Sequence, residues 1–391
     1  MTDVKMREGN GIGDGDIRLS QWKLDLQGVR KWIPILSKQD PDNIDECITP
    51  IIQSEPGCGK SSVLKMLEED YGDEYDYIYL DCPILDYSDI CMKIPEKDEN
   101  GVRTLQPYIG SVFKMGSPKP KIIMLDEIMK APKMTQTMFM KLILERKIDD
   151  VSLPMGSIIF GTSNNMSDGV GDGFLAHGGN RVCIIELMKV SPKEWCEWGA
   201  RNNIHPYILA LVNRYPSLLA SYRDDGFDPK QNPCVFDPNN PQLSFASPRS
   251  LAKLNVVVRN RDKFDNDSVM TVMGGIVGKA TASQFSALMA IGDTLPSWKE
   301  IMAHPEQVDI PKSESALMIL MFQAVQNMKT SKDVSQFIMF VDRIEKREIQ
   351  AIFYSMTINS QHEEVRMLAT GNAKFTKYCI DNKQNFQGDD V

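Results

Sequence analysis

The residues Ile48-Thr-Pro-Ile-Ile-Gln-Ser-Glu-Pro-Gly-Cys-Gly-Lys-Ser-Ser62 carry the clearest chemistry. They follow the pattern G-x-x-x-x-G-K-[ST], with Ser54 standing where the first glycine belongs. Small residues let the backbone curl so that successive N–H groups face inward at phosphate oxygens. A helix opening at Ser61 would aim its positive end at the same phosphates. Lys60 would meet the β- and γ-phosphates, and the Ser61 hydroxyl would ligate Mg²⁺. The candidate nucleotide-binding residues are therefore Ser54, Glu55, Pro56, Gly57, Cys58, Gly59, Lys60, Ser61 and Ser62. A glycine turn before a surface helix is the plain alternative. The strand-like run before the loop and the helical run after it favour the phosphate reading. Serine at 54 restricts the backbone more than glycine would, which bears on nucleotide affinity.

Lys121-Ile-Ile-Met-Leu-Asp-Glu127 reads as a buried strand ending in two carboxylates. Asp126 would hold Mg²⁺ through water, and Glu127 would orient and deprotonate an attacking water. Ser157-Ile-Ile-Phe-Gly-Thr-Ser-Asn-Asn165 is a further strand with polar residues at its tip. An amide there would hydrogen-bond a γ-phosphate and the attacking water, Asn164 being the first choice and Asn165 the alternate. A turn-forming Asn pair is the other explanation. Arg181 precedes a last strand and would neutralise charge developing on a neighbouring protomer's γ-phosphate. Arg249, in Ser247-Pro-Arg249, opens a later helix and would be a second cation reaching the nucleotide.

Positioning these groups needs parallel strands. Ile48–Gln53, Tyr77–Asp81, Lys121–Asp126, Ser157–Thr162 and Arg181–Glu186 are short, continuous apolar runs of the kind buried on both faces. Helical stretches at Ser61–Asp70 and Lys133–Lys147 alternate with them, which defines an α/β, doubly wound layer. Residues 20–37 read as one helix before it. From about Ser191 the pattern turns helical: Glu194–Asn203, His205–Tyr215, Ser247–Arg261, Ala280–Ala290, Ser313–Met328 and one amphipathic helix over 331–354. The expected organisation is a flexible leader 1–19, an α/β domain 20–190, a helical lid 191–310 and a helical extension 311–391 with a frayed tail.

The 391 residues allow two to three domains at about 150 residues each. Hydrophobic residues at 42% and charged residues at 25% place the chain among globular proteins rather than disordered ones. A net charge of −9 argues against a surface that coats nucleic acid. The eight cysteines include no C-x-x-C pair, so zinc ribbons and thioredoxin chemistry have no support. No signal peptide or membrane-length apolar run is evident, and a cytoplasmic protein is expected.

In order, Lys60/Ser61, Asp126/Glu127, Asn164, Arg181 and Arg249 resemble the AAA+ ATPase layout of Walker A, Walker B, sensor 1, arginine finger and sensor 2. Glu55-Pro-Gly-Cys-Gly-Lys60, Leu125-Asp-Glu-Ile128 with Ala131-Pro132, and Ser247-Pro-Arg249 look like the MoxR-type branch in particular. The likeness runs over roughly residues 45–310. It implies an AAA+ sheet domain followed by an all-helical lid, with an insertion at Asp89–Gly116. It also implies ATP and Mg²⁺ as cofactors and a ring of identical subunits, typically a hexamer, that remodels or activates a protein. A partner with a von Willebrand factor A domain is a frequent companion in that branch. Members from bacteria or bacteriophages fit. Val182 after Arg181 departs from the commoner Phe.

The favoured expectation is thus an ATP-hydrolysing, ring-forming remodeller. A DNA-directed motor or loader is the alternative, disfavoured by the acidic charge. A nucleotide-gated scaffold without turnover is a third.

Overall fold

The computed structural model describes residues 23–40, 47–97, 101, 103–165, 182–224, 226–358, 360 and 363–382. The leader 1–19 and Arg181 lie outside them. The chain divides into two compact units. The first holds the described residues up to Ser54, Lys60–Asn165 and the stretch ending at Met188; the second holds Glu55–Gly59 and the described residues from Lys189 onward.

The first unit begins with β1 (Lys23–Leu24), α1 (Leu26–Ser37), β2 (Thr49–Ser54), α2 (Ser62–Tyr71) and β3 (Asp76–Asp81). A short α3 (Tyr87–Ile90), an antiparallel hairpin of β4 (Cys91–Lys97) and β5 (Arg103–Ile109), β6 (Lys121–Asp126) and α4 (Lys133–Glu145) follow. A small ribbon, β7 (Lys147–Ile148) with β8 (Val151–Ser152), leads to β9 (Ile158–Asn164) and β10 (Val182–Leu187). Six strands form one parallel sheet in the order β1-β10-β2-β9-β6-β3. Its central strands β2, β9 and β6 are buried on both sides because both sides are covered. Ile52, Ile122, Met124, Ile158 and Phe160 meet Val29 and Ile33 of α1 and Val63 and Leu67 of α2. Ile51, Ile123, Leu125 and Ile159 meet Phe139, Leu142 and Ile143 of α4 on the other face.

The order has a consequence for chemistry. β9 lies between β2, which runs into the glycine loop, and β6, which ends in the acidic pair. All three run the same way, so their C-terminal ends share one edge, where ligands of parallel sheets bind.

The second unit is helical: α5 (Pro192–Arg201), α6 (Pro206–Arg214), α7 (Pro248–Arg259), α8 (Asn266–Val277), α9 (Lys279–Gly292), α10 (Trp298–Ala303), α11 (Glu314–Asn327), α12 (Ser331–Val341), α13 (Arg347–Ile358), α14 (Glu363–Thr370) and α15 (Ala373–Asp381). Ile208, Leu251 and Phe285 share one apolar core with Phe322, Phe337, Phe353 and Phe375. Helices on both sides of residue 310 therefore bury their faces together.

Elements that the sequence reading did not give include α8, α10, α14, α15 and the ribbon of β7 and β8, and three of its readings change. Residues 20–37 do not form one helix over their described part. The Asp25 carboxylate accepts from Gly28 N at 2.6 Å and caps α1 there, while Lys23–Leu24 pair with Glu186–Leu187 as an edge strand. The insertion contains a hairpin that its polar composition hid. The expected helix over 331–354 is two helices. Arg343 Nη1 donates to the carbonyls of Pro305 and Val308 at 2.7 and 2.8 Å, and Gln350 Nε2 donates to those of Val341 and Ile344 at 3.2 and 2.7 Å. Gln350 thereby satisfies carbonyls at the break, and Arg343, within it, is drawn off to the segment after α10.

Candidate functional site

Alternation along the strands sorts the polar residues. Ser54 of β2, Asp126 of β6, and Thr162 and Asn164 of β9 fall on the α1/α2 face, in phase with Ile52, Met124 and Phe160. Tyr79 of β3 is in the same phase, its backbone paired with Met124. Five polar side chains thus gather at the C-terminal edge, over the face that carries α2.

Lys60 is almost fully buried at 5% exposure. Its Nζ donates to Ser54 O and Ser54 Oγ, each at 3.1 Å, and to Asn164 Oδ1 at 2.8 Å. A desolvated ammonium needs such acceptors, and the Ser54 hydroxyl is one that glycine would not supply. Asn164 Nδ2 in turn donates to Glu127 Oε2 at 3.2 Å, and Lys130 Nζ meets the same oxygen at 2.8 Å. Alternation alone would send Glu127 to the opposite face. Its left-handed backbone, φ 52°, ends the strand and brings the carboxylate to Asn164 instead. A non-glycine residue held in that region is strained, a condition that clusters at functional sites.

Asp126 is 9% exposed. Its Oδ2 accepts from the Tyr79 hydroxyl at 2.7 Å and its Oδ1 from the Thr162 hydroxyl. The Thr162 oxygen also accepts from Glu127 N at 3.1 Å, so one threonine fixes both acids. Partial desolvation, then the bond to Asp126, pushes the Tyr79 hydroxyl above its ordinary value, so it remains a donor. Ser61 sits at the start of α2 with helical backbone angles and makes no capping bond through its side chain. An exposed hydroxyl there and a buried carboxylate at Asp126 form a donor set suited to Mg²⁺, which takes few protein oxygens and completes its shell with phosphate and water. Among the described residues no cluster of three or more His, Cys, Asp or Glu is placed to hold a metal.

The loop residues Glu55–Gly59 are held within the second unit. The Glu55 carboxylate pairs with Lys189 Nζ at 3.3 Å, both side chains being buried, and accepts from the Ser221 hydroxyl. Arg249 N donates to Gly57 O at 3.3 Å. Gly57 and Gly59 have φ of 80° and 92°, the left-handed conformation that a phosphate-cradling turn requires of glycine. A side chain at Gly57 would lie 2.7 Å from Ser247 Oγ.

The structure brings Lys60, Asn164, Glu127 and Asp126 together. Asn165 follows the strand end and is buried. Arg249 meets the loop through its backbone, its side chain being exposed. Reading the sequence missed Tyr79, Thr162, Lys130 and Lys189. The phase of Tyr79 and Thr162 with Asp126 was available as a signal; the two lysines had none.

No protein-family model matches the chain, and no curated protein is significantly similar to it in sequence. Solved structures with some likeness include the Thermotoga maritima RuvB Holliday junction branch migration motor, 14% identical over 72% of this chain and 76% of that one, TM-score 0.33. Another is Brucella abortus NtrX in complex with ADP, 11% identical over 91% of this chain and 66% of that one, TM-score 0.36. NtrX in complex with ATP is 12% identical over 88% and 67%, TM-score 0.33. Likeness of this grade assigns neither fold nor activity; the α/β fold follows from the strand order.

Proposed function

We propose that the chain is an AAA+ ATPase of the MoxR type that hydrolyses ATP with Mg²⁺ in a ring of identical subunits and remodels or activates a protein partner. The observation that carries this reading is the hydrogen-bonded convergence of Lys60, Asn164 and Glu127, with Asp126 fixed on the neighbouring strand. Lys60 and the amides of the glycine loop would bind the phosphates. Ser61, and Asp126 through water, would hold Mg²⁺, which would supply charge neutralisation at the phosphates. Glu127 takes the proton of the attacking water as the new P–O bond forms and the bond to the bridging oxygen breaks, releasing ADP and phosphate. Asn164 orients that water.

Lys60 has a second use in this scheme. While it holds Asn164 Oδ1, the amide is tied to Glu127; a γ-phosphate competing for Lys60 frees Asn164 to turn toward the water. Arg181 from an adjacent subunit and Arg249 are the remaining cations of the scheme. The acidic net charge favours a protein client over DNA, and a von Willebrand factor A-domain protein in the cytoplasm is the partner class the family resemblance suggests.

The test is affinity capture with Glu127→Gln in ATP, alongside wild-type turnover measured across protein concentration. Turnover that rises per subunit with concentration, and a protein retained only in ATP, support the reading. Stimulation by DNA that falls steeply with salt would favour a DNA motor instead. Concentration-independent absence of turnover would refute it.

A further inference from the structure

We infer that Tyr79 is a positioning residue for the Mg²⁺-side carboxylate of this site, an inference that rests on the proposed reading of Asp126. Tyr79 sits in the middle of β3, opposite Met124 of β6 in the parallel register. Asp126 is two residues farther along the same face, the diagonal neighbour that an aromatic side chain can reach. The Tyr79 hydroxyl covers that distance and donates to Oδ2 at 2.7 Å.

From the strand on the other side, β9, the Thr162 hydroxyl takes Oδ1. The carboxylate is therefore gripped from both flanking strands, one hydroxyl per oxygen. It cannot rotate about its Cβ–Cγ bond without breaking both contacts. Each carboxylate oxygen accepts more than one hydrogen bond, so the grip leaves acceptor capacity for metal-bound water. Groups of this kind, which touch the carboxylate and not the metal, set orientation and affinity in metal sites.

Tyr79 is 48% exposed, so it does not hold the sheet together by burial. Its ring is not a buried wedge, and the hydroxyl is the part with a defined partner. Replacing the hydroxyl by hydrogen should leave the sheet intact and alter only the setting of Asp126.

The experiment uses the full chain, a fluorescent N-methylanthraniloyl ATP analogue and a MgCl₂ titration, with EDTA as the metal-free baseline. Tyr79→Phe is expected to raise the Mg²⁺ midpoint about tenfold, the lower end for loss of such a contact. Affinity for the analogue in EDTA and the melting temperature should match wild type. Thr162→Val should move the midpoint the same way. A Tyr79→Phe midpoint equal to wild type, or an equal loss with and without metal, would overturn the inference. Wild-type binding that is itself indifferent to Mg²⁺ is a distinct result: it would overturn the reading of the site, and the inference with it.

Discussion

Replacing Asn164 by alanine separates the two amides at the tip of β9. Asn164 accepts from Lys60 at 2.8 Å and donates to Glu127 at 3.2 Å, so alanine removes two hydrogen bonds to charged groups. Each such bond is worth about 1.5–3 kcal/mol. If one of them, or its counterpart to the attacking water, persists into the transition state, its loss slows turnover about ten- to a hundredfold. Asn165 lies past the strand end, so Asn165→Ala should slow turnover less than Asn164→Ala does. The assay is steady-state ADP release at saturating ATP, with KM followed separately. A fall in kcat with little change in KM is the signature of an interaction made in the transition state. A larger loss for Asn165→Ala, or wild-type turnover for Asn164→Ala, would refute the assignment.

Gly57→Ala places a Cβ 2.7 Å from Ser247 Oγ at a φ of 80°. The left-handed penalty alone is about 1–2 kcal/mol, so nucleotide affinity by fluorescence titration should fall about tenfold. Burial, with Arg261 and Arg259 nearby, pushes the His205 imidazole down to about 4. The unfolded chain, with a His value of about 6.5, then binds the extra proton first. Stability from a neutral His205 is full above about 6.5 and lost as pH falls toward about 4, at no more than about 1.4 kcal/mol per pH unit. Urea midpoints at about pH 7 and pH 5 should diverge for wild type and converge for His205→Gln. Gly292→Ala puts a Cβ 2.4 Å from Tyr207 Cζ inside the helical core, and urea unfolding should register a loss of about 1–3 kcal/mol.

The central strands were legible because burial on both faces writes continuous runs such as Ile-Ile-Met-Leu, and the glycine loop because its backbone needs glycine at 57 and 59. Elements whose stability comes from elsewhere were not. The hairpin of β4 and β5 is solvent-exposed along most of its length, its Met92, Ile94, Leu105 and Tyr108 side chains included, so burial left no pattern there. α8, with adjacent Gly274 and Gly275, has weak intrinsic propensity and takes its stability from packing on α7 and α9. At the site, residue types announced Lys60, Asp126 and Glu127. Which amide meets them depended on strand phase, and Lys130 and Lys189 on three-dimensional proximity that no local pattern encodes.

Loading the protein with ATP and Mg²⁺ and identifying the nucleotide that remains bound separates turnover at Glu127 from binding alone. Wild type should yield ADP, Glu127→Gln should retain ATP, and Lys60→Ala should retain neither. ATP recovered unchanged from wild type, or ADP formed equally by Glu127→Gln, would contradict the account.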